Sequence, residues 1–273
     1  MRANLSDITF TIFDTETTGL SPAEGDRIVE IAALRIKNGK SEAEFQALVN
    51  PQRQISEAAF RVNQITPAML EGAPLMGPVM EKFLAFIKDT CLCSYNAAFD
   101  MEFLNHELML LGLGALDSMV VIDILKMARR LSPNMERYSL SSVTQALGIR
   151  YPQQHRAMAD VELTRALFEQ YQAMLRQWEV IDFQNFSSLF ALQAQFLDGI
   201  ANQKIAEIQE AIDRGINLKI KYISASNAAV TEREITPQEI RQERGHTYVV
   251  GHCHLRNDQR AFRIDSILHM EFV

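Results

Sequence analysis

The sequence predicts an α/β layer domain, a central sheet covered by helices, followed by a smaller all-β module. Three observations carry that prediction. Between Ile8 and Arg176, β-branched and apolar runs first cluster and then interleave with segments of helical periodicity. Beyond Gly215 come short strand-like runs separated by turn signals. The stretch that joins the two, "WEVIDFQNFSSLFALQAQFLDGIANQ", is rich in Phe and Leu without a Gly or Pro cluster, so it is not a flexible tether.

The elements follow in order. "ITFTIF", "IVEIAALRI" and "FQALV" read as three strands, then "VMEKFLAFIKD" as a helix, "CLCSY" as a strand and "MEFLNHELMLLG" as a helix. "MVVID" is a strand, and "ILKMARRL", "SLSSVTQALG" and "MADVELTRALFEQYQAML" are helices. The expected units are an α/β domain over residues 1–178, a helical apolar connector over 179–203 and a β module over 204–273. The connector reads first as a helix docked on its own chain, with a surface for a partner or a second copy as the other reading. The β module opens with the helix "IAEIQEAIDRG", closed by Gly215, and continues through "LKIKYISA", "TEREITPQEI", "TYVVGHCHL", "RAFRIDSI" and "HMEFV".

Composition narrows the function classes. The chain has 273 residues, 47% hydrophobic and 22% charged, an ordinary globular composition. No apolar run is long enough to span a membrane and no signal-peptide pattern opens the chain, so the expected setting is the cytoplasm. Cys91, Cys93 and Cys253 are expected to be reduced core residues, the first two on one strand face, with a metal site as the lesser reading. A formal net charge of −7 speaks against a surface that coats nucleic acid generically. It leaves room for an enzyme whose positive charge is a metal ion.

The acids give that idea content. "IFDTETTGL" places Asp14 and Glu16 at i and i+2, on one face at the C-terminal end of the first strand, where α/β sheets form ligand crevices. Two carboxylates that close repel each other unless a cation lies between them, and a hard divalent ion suits all-oxygen ligands. Capping of the following turn is the other reading of this pair. Asp100 opens a helix just after the "CLCSY" strand, and "HRAMADVELTRALF" puts His155 before a helix and Asp160 within its first turns. Helix-dipole complementarity would also explain Asp100 and Asp160, and a surface position would explain His155.

Taken in order, Asp14-Thr15-Glu16-Thr17-Thr18-Gly19-Leu20, Asn96-Ala97-Ala98-Phe99-Asp100 and His155-Arg156-Ala157-Met158-Ala159-Asp160 resemble the three exonuclease motifs of the DEDDh 3′-to-5′ exonucleases, typified by the epsilon subunit of bacterial DNA polymerase III. The resemblance covers about the first 175 residues. It implies a ribonuclease-H-like fold with a mixed five-stranded sheet, and two divalent metal ions, Mg²⁺ or Mn²⁺. On this reading Asp14, Glu16 and Asp160 hold one ion, Asp14 bridges to the second, Asp100 acts directly or through water, and His155 is the general base. Thr17, Leu20, Asn96 and Phe99 would contact the 3′ end of single-stranded DNA or RNA. Tyr95 before Asn96, and "RVNQIT" where many relatives have His-Gly-Ile-Thr, depart from the pattern near the expected substrate channel rather than among the ligands.

The last segment resembles a WYL domain, a small SH3-like β-barrel of bacterial regulators. Of the naming triplet only Tyr248 is kept, while Arg256, Arg260 and Arg263 match the Arg-rich part. The resemblance implies a nucleic-acid or nucleotide-like ligand there, for which an Arg fork is suited. Solvated arginines paired with Asp258 and Asp265 are the other reading. Two functions are therefore expected: a metal-dependent 3′-to-5′ exonuclease with a ligand-binding C-terminal module, or a ligand-responsive nucleic-acid-binding regulator with little turnover.

Overall fold

A computed structural model of the chain describes residues 3–149, 156–192 and 195–273, with the backbone alone for 195–203. The expected base, His155, lies outside the described residues.

The first sheet takes strands β1 (Thr9–Thr17), β2 (Ile28–Lys37), β3 (Lys40–Leu48), β4 (Cys91–Ser94) and β5 (Val121–Asp123) in the order β3-β2-β1-β4-β5. β1 pairs antiparallel with β2 and parallel with β4, so the sheet is mixed and β1 lies at its centre. Helices α1 (Glu57–Asn63), α2 (Pro67–Leu70), α3 (Met76–Ile87) and α4 (Ala97–Leu110) precede β5, and α5 (Ile124–Leu131), α6 (Leu140–Ala146) and α7 (Ala157–Gln177) follow it. Short polar residues start several of them: Ser56, Thr66, Asp123 and Ser139 each accept a hydrogen bond from a backbone N–H in the first turn of their helix.

Strand alternation divides the core into two layers. Phe10, Ile12, Ala32, Leu34, Cys91, Cys93 and Ile122 face α5 and α7, whereas Phe13, Ile31, Ala33, Leu92 and Val121 face α3 and α4. All three cysteines are free and buried, and Cys91 and Cys93 do share a face.

The Phe-rich connector turns inward. Its helix α8 (Phe183–Phe190) is capped by Asp182 and buries Phe186, Leu189 and Phe190 in the same layer as α7. Phe186 meets the rings of Phe10 and Phe168 edge-on at 6.0 and 6.2 Å, and the Leu192 N–H donates to the Val121 carbonyl at 2.8 Å. Full burial of each such ring stabilises by about 1.5–3 kcal/mol, enough to weld this segment to the sheet.

Helix α9 (Gln195–Arg214) runs without a break across residue 204, where the sequence suggested that a new unit begins. It packs through Ile208 and Ala211 on a second sheet of β6 (Leu218–Ile223), β7 (Val230–Glu243), β8 (His246–Cys253), β9 (Asp258–Arg263) and β10 (Ile267–Phe272). The order is β10-β6-β7-β8-β9, antiparallel throughout, with β9 and β10 at the two edges. Ile223 and Leu268 leave this core and join the α5–α7 layer. Beside them Arg130 of α5 donates to the Ser266 hydroxyl at 2.6 Å and the Asp265 carbonyl at 3.2 Å. Among the described residues no helix is long and apolar enough to cross a membrane.

Candidate active site

Three elements converge at the C-terminal ends of β1 and β4. Asp14 and Glu16 project from one face of β1, and Asp160 comes from the first turn of α7, which packs on that face. Ligand oxygens of Asp14, Glu16 and Asp160 lie within 4.8 Å of one another, the one such acidic group among the described residues. All three are half-buried.

Asp100 approaches from the other side. It lies in the first turn of α4, which packs on the opposite face of the sheet, and it is almost fully buried. Its Oδ1 accepts from the Thr15 N–H at 3.0 Å and the Thr15 hydroxyl at 2.7 Å, and its Oδ2 accepts from the Ser94 hydroxyl at 2.6 Å. Alternation explains the division: Thr15 points away from Asp14 and Glu16, toward α4. The structure therefore gathers three of the four expected acids into one group and holds the fourth beside it, anchored to Thr15 and Ser94.

The electrostatics follow from that crowding. Burial, then Asp100, Glu16, Asp160 and Glu30, push the Asp14 carboxyl well above its usual range. Burial, then Asp160, Glu30 and Asp100, push Glu16 up to about 8, opposed by the Arg156 guanidinium. Burial raises Asp100 to about 6, while its bonds to Ser94 and Thr15 pull the other way. Hard oxygen donors that destabilise one another's charge fit a divalent cation, which would relieve the repulsion directly.

The substrate-side residues are set as follows. Thr17 is buried, its hydroxyl donating to the Gly19 carbonyl at 2.6 Å and its own carbonyl accepting from Asn63 Nδ2 at 3.2 Å. The turn after it is cinched by Asp26, which accepts from the Thr18 hydroxyl at 2.8 Å and the Ser21 N–H at 3.1 Å. A Cβ at position 19 would collide with that carboxylate, so glycine is required. Arg27 then forks onto buried Glu107 of α4 through Nε at 2.8 Å and Nη2 at 2.7 Å. On this pinned turn Leu20 is 83% exposed. Asn96 takes the left-handed conformation, φ 66°, just before α4, a geometry Asn tolerates, and the Phe99 ring meets Phe103 at 4.9 Å, tilted by 48°.

Several residues escaped sequence reasoning. Glu30 of β2 lies opposite Glu16 in the β1–β2 register and is fully buried. Its signal was an acid inside the apolar run "IVEIAALRI". Glu107 follows Phe103 by four positions and Leu104 by three, an acid on a buried helical stripe. Ser94 carried no signal.

In the C-terminal sheet, Tyr248 and Arg263 are register partners on β8 and β9, and Arg263 forks onto Asp265. Arg256 and Arg260 are exposed, and Arg260 falls on the opposite face of β9 from Arg263. The four residues expected to bind a ligand thus do not share one face.

A family model described as exonuclease matches residues 11–168, more than half of the chain. The chain belongs to this exonuclease family. A WYL domain model matches residues 203–272 of the exonuclease. A DNA polymerase III subunit epsilon-like protein of Rhodobacter capsulatus is 40% identical over 168 residues, covering 60% of this chain and 24% of that protein. A PolC-type DNA polymerase III of Halalkalibacterium halodurans is 38% identical over 160 residues, 59% of this chain and 11% of that protein. The matches therefore span a quarter or less of the length of these curated relatives. Among solved structures, the zinc-bound E. coli ExoI–ssDNA complex superposes with TM-score 0.56 at 19% identity, covering 90% of this chain and 54% of that one. The nuclease domain of 3′hExo, a DEDDh family member bound to rAMP, gives TM-score 0.56 at 19% identity, covering 63% and 95%. At such identity the likeness speaks for the fold of this exonuclease, a mixed sheet flanked by helices.

Proposed function

We propose that this exonuclease hydrolyses phosphodiester bonds from the 3′ end of single-stranded DNA or RNA, using two divalent metal ions, Mg²⁺ or Mn²⁺. The observation that carries the reading is the group of Asp14, Glu16 and Asp160, with Asp100 held beside it. Asp14, Glu16 and Asp160 would hold the ions, Asp14 serving both, with Asp100 contributing directly or through water. Such ions supply Lewis-acid stabilisation of the attacking and leaving oxygens. His155 takes the proton from the attacking water, a task for which imidazole is matched near neutral pH. Thr17 and Asn96 orient the strand end, and Leu20 and Phe99 give its bases apolar surface, contacts that carry little sequence preference.

The unit that does this spans 1–178 and the α8 segment packed on it, while 204–273 forms the second module. We read its bent antiparallel sheet, with register shifts after Pro237 and Ile267, as the SH3-like barrel of a WYL domain. Tyr248, Arg256, Arg260 and Arg263 would offer it a nucleic-acid or nucleotide-like ligand, with Tyr248 and Arg263 acting together.

The test is release of mononucleotides from 5′-labelled single-stranded DNA and RNA, in Mg²⁺ or Mn²⁺ against EDTA, for wild type beside Asp14→Asn. Metal-dependent shortening from the 3′ end that disappears in the variant is the expected result. Binding without cleavage would favour the ligand-responsive regulator instead.

A further inference from the structure

Glu30 is a full carboxylate at 0% exposure, a position that costs several kcal/mol unless every lone pair is met. Four donors meet it. Arg156 gives Nε to Oε2 at 2.9 Å and Nη2 to Oε1 at 2.7 Å, Gln46 gives Nε2 to Oε1 at 3.0 Å, and the Ala157 N–H reaches Oε2 at 3.3 Å.

Three of those donors come from the start of α7. Arg156 is the N-cap residue of that helix and makes no side-chain capping bond, and Ala157 is its first residue. The carboxylate that caps α7 is therefore supplied by β2, from a strand position directly opposite Glu16. Three residues further on is Asp160, whose N–H donates to the Arg156 carbonyl at 3.2 Å. One bidentate contact thus fixes the distance between the strand pair that carries Asp14 and Glu16 and the helix that carries Asp160.

Stability alone does not account for such a pair. Replacing a buried ion pair by apolar residues of similar volume is often neutral or stabilising, so its value lies in geometry. An apolar contact would let α7 slide; a planar guanidinium on a carboxylate does not.

We propose that Glu30 and Arg156 are positioning residues of the nuclease, a clamp that sets Asp160 against Asp14 and Glu16 so that cation affinity and turnover depend on a pair that does not itself ligate. The inference rests on the exonuclease reading above.

The test uses the full-length chain and the variants Glu30→Gln and Arg156→Lys, with Mn²⁺ binding by calorimetry, kcat and KM on a 5′-labelled oligonucleotide, and Tm. Glu30→Gln is expected to weaken Mn²⁺ binding and lower kcat each by about 10- to 100-fold, with KM for the strand changed by less than about threefold. Arg156→Lys, which keeps the charge and loses the fork, should fall about tenfold in both. A variant with lowered Tm but wild-type Mn²⁺ affinity and kcat would make the pair purely structural and overturn the proposal. Should Glu30→Gln not fold, Arg156→Lys decides alone by the same two readings. A wild type that binds Mn²⁺ but cleaves nothing would sink the nuclease reading, while the binding comparison still judges the clamp.

Discussion

Thr15 gives both its backbone N–H and its hydroxyl to one oxygen of Asp100, 85 positions away, at 3.0 and 2.7 Å. β1 thereby serves the site from both faces, with Asp14 and Glu16 on one and the anchor of Asp100 on the other.

Ser94→Ala removes the hydroxyl that donates to the second oxygen of Asp100. That bond favours the ionised carboxyl, so its loss moves the group above its value of about 6. In the metal-free protein the Asp100 carboxyl of the variant should therefore ionise at higher pH than in wild type, read by NMR titration in EDTA. An unchanged titration would mean that the Ser94 hydroxyl does not hold the ionised form.

The crowded acids also set how the metal-free protein responds to pH. Glu16 titrates near 8 when folded against 4.5 ordinarily, and Asp14 is raised too, both first through burial and then through their acidic neighbours. In that window the folded state binds more protons than the unfolded one, so stability falls as pH rises from about 4.5 to about 8. Thermal melts in EDTA should show Tm declining over this range, and Glu16→Gln should flatten the slope. Mn²⁺ at about 100 times its dissociation constant should return about 2.7 kcal/mol at pH 8. A flat wild-type profile would discard the like-charge account.

Phe186→Ala should cost about 3–5 kcal/mol in denaturant unfolding, since the ring is fully buried against Phe10 and Phe168. Ile181→Ala, at a position 47% exposed, should change stability by less than about 0.5 kcal/mol. Equal small effects would mean that the connector is not part of the nuclease core.

The contact between the modules offers another check. Burial pushes the Asp265 carboxyl up, but the Arg263 fork and nearby Arg130 outweigh it and hold the group below its usual 3.8. Its contribution is fully present above that pH and is lost progressively as pH falls from there through the depressed folded value. Asp265→Ala should therefore lower stability at pH 7 by about 1 kcal/mol, modest because the side chain is 39% exposed, with the deficit shrinking as acid drops below the ordinary carboxylate range and protonates the group. Deleting 204–273 should lower Tm further, because Ile223 and Leu268 complete the α5–α7 layer. A truncated chain with unchanged Tm would make the two modules independent.

Much of this arrangement is legible in the sequence because periodicity reports single elements. The alternation around Asp14 and Glu16, the helix starts at Asp100 and Asp160 and the five strand-like runs after Gly215 all correspond to elements of the fold. What periodicity does not report is pairing between elements. The partnership of Glu30 with Arg156 spans 126 positions and that of Arg27 with Glu107 spans 80, and each acid reads in sequence as an interruption of an apolar run. Nor does composition report continuity of the backbone: α9 begins in the apolar connector and ends beside the β module, so one helix runs through the compositional change near residue 204.

The central place of β1 bears on how firmly the site is held before anything binds. β1 is paired on both edges from Phe10 to Ile12, while Asp14 and Glu16 lie just beyond, paired to β2 alone, so their amides should exchange faster than those of Phe10 to Ile12. Even the turn that presents Leu20 is pinned by Asp26 and the Arg27–Glu107 fork. The carboxylates are thus carried on the end of a paired strand beside a pinned turn. Any ligand that meets Leu20 therefore meets a side chain whose backbone is already fixed before contact.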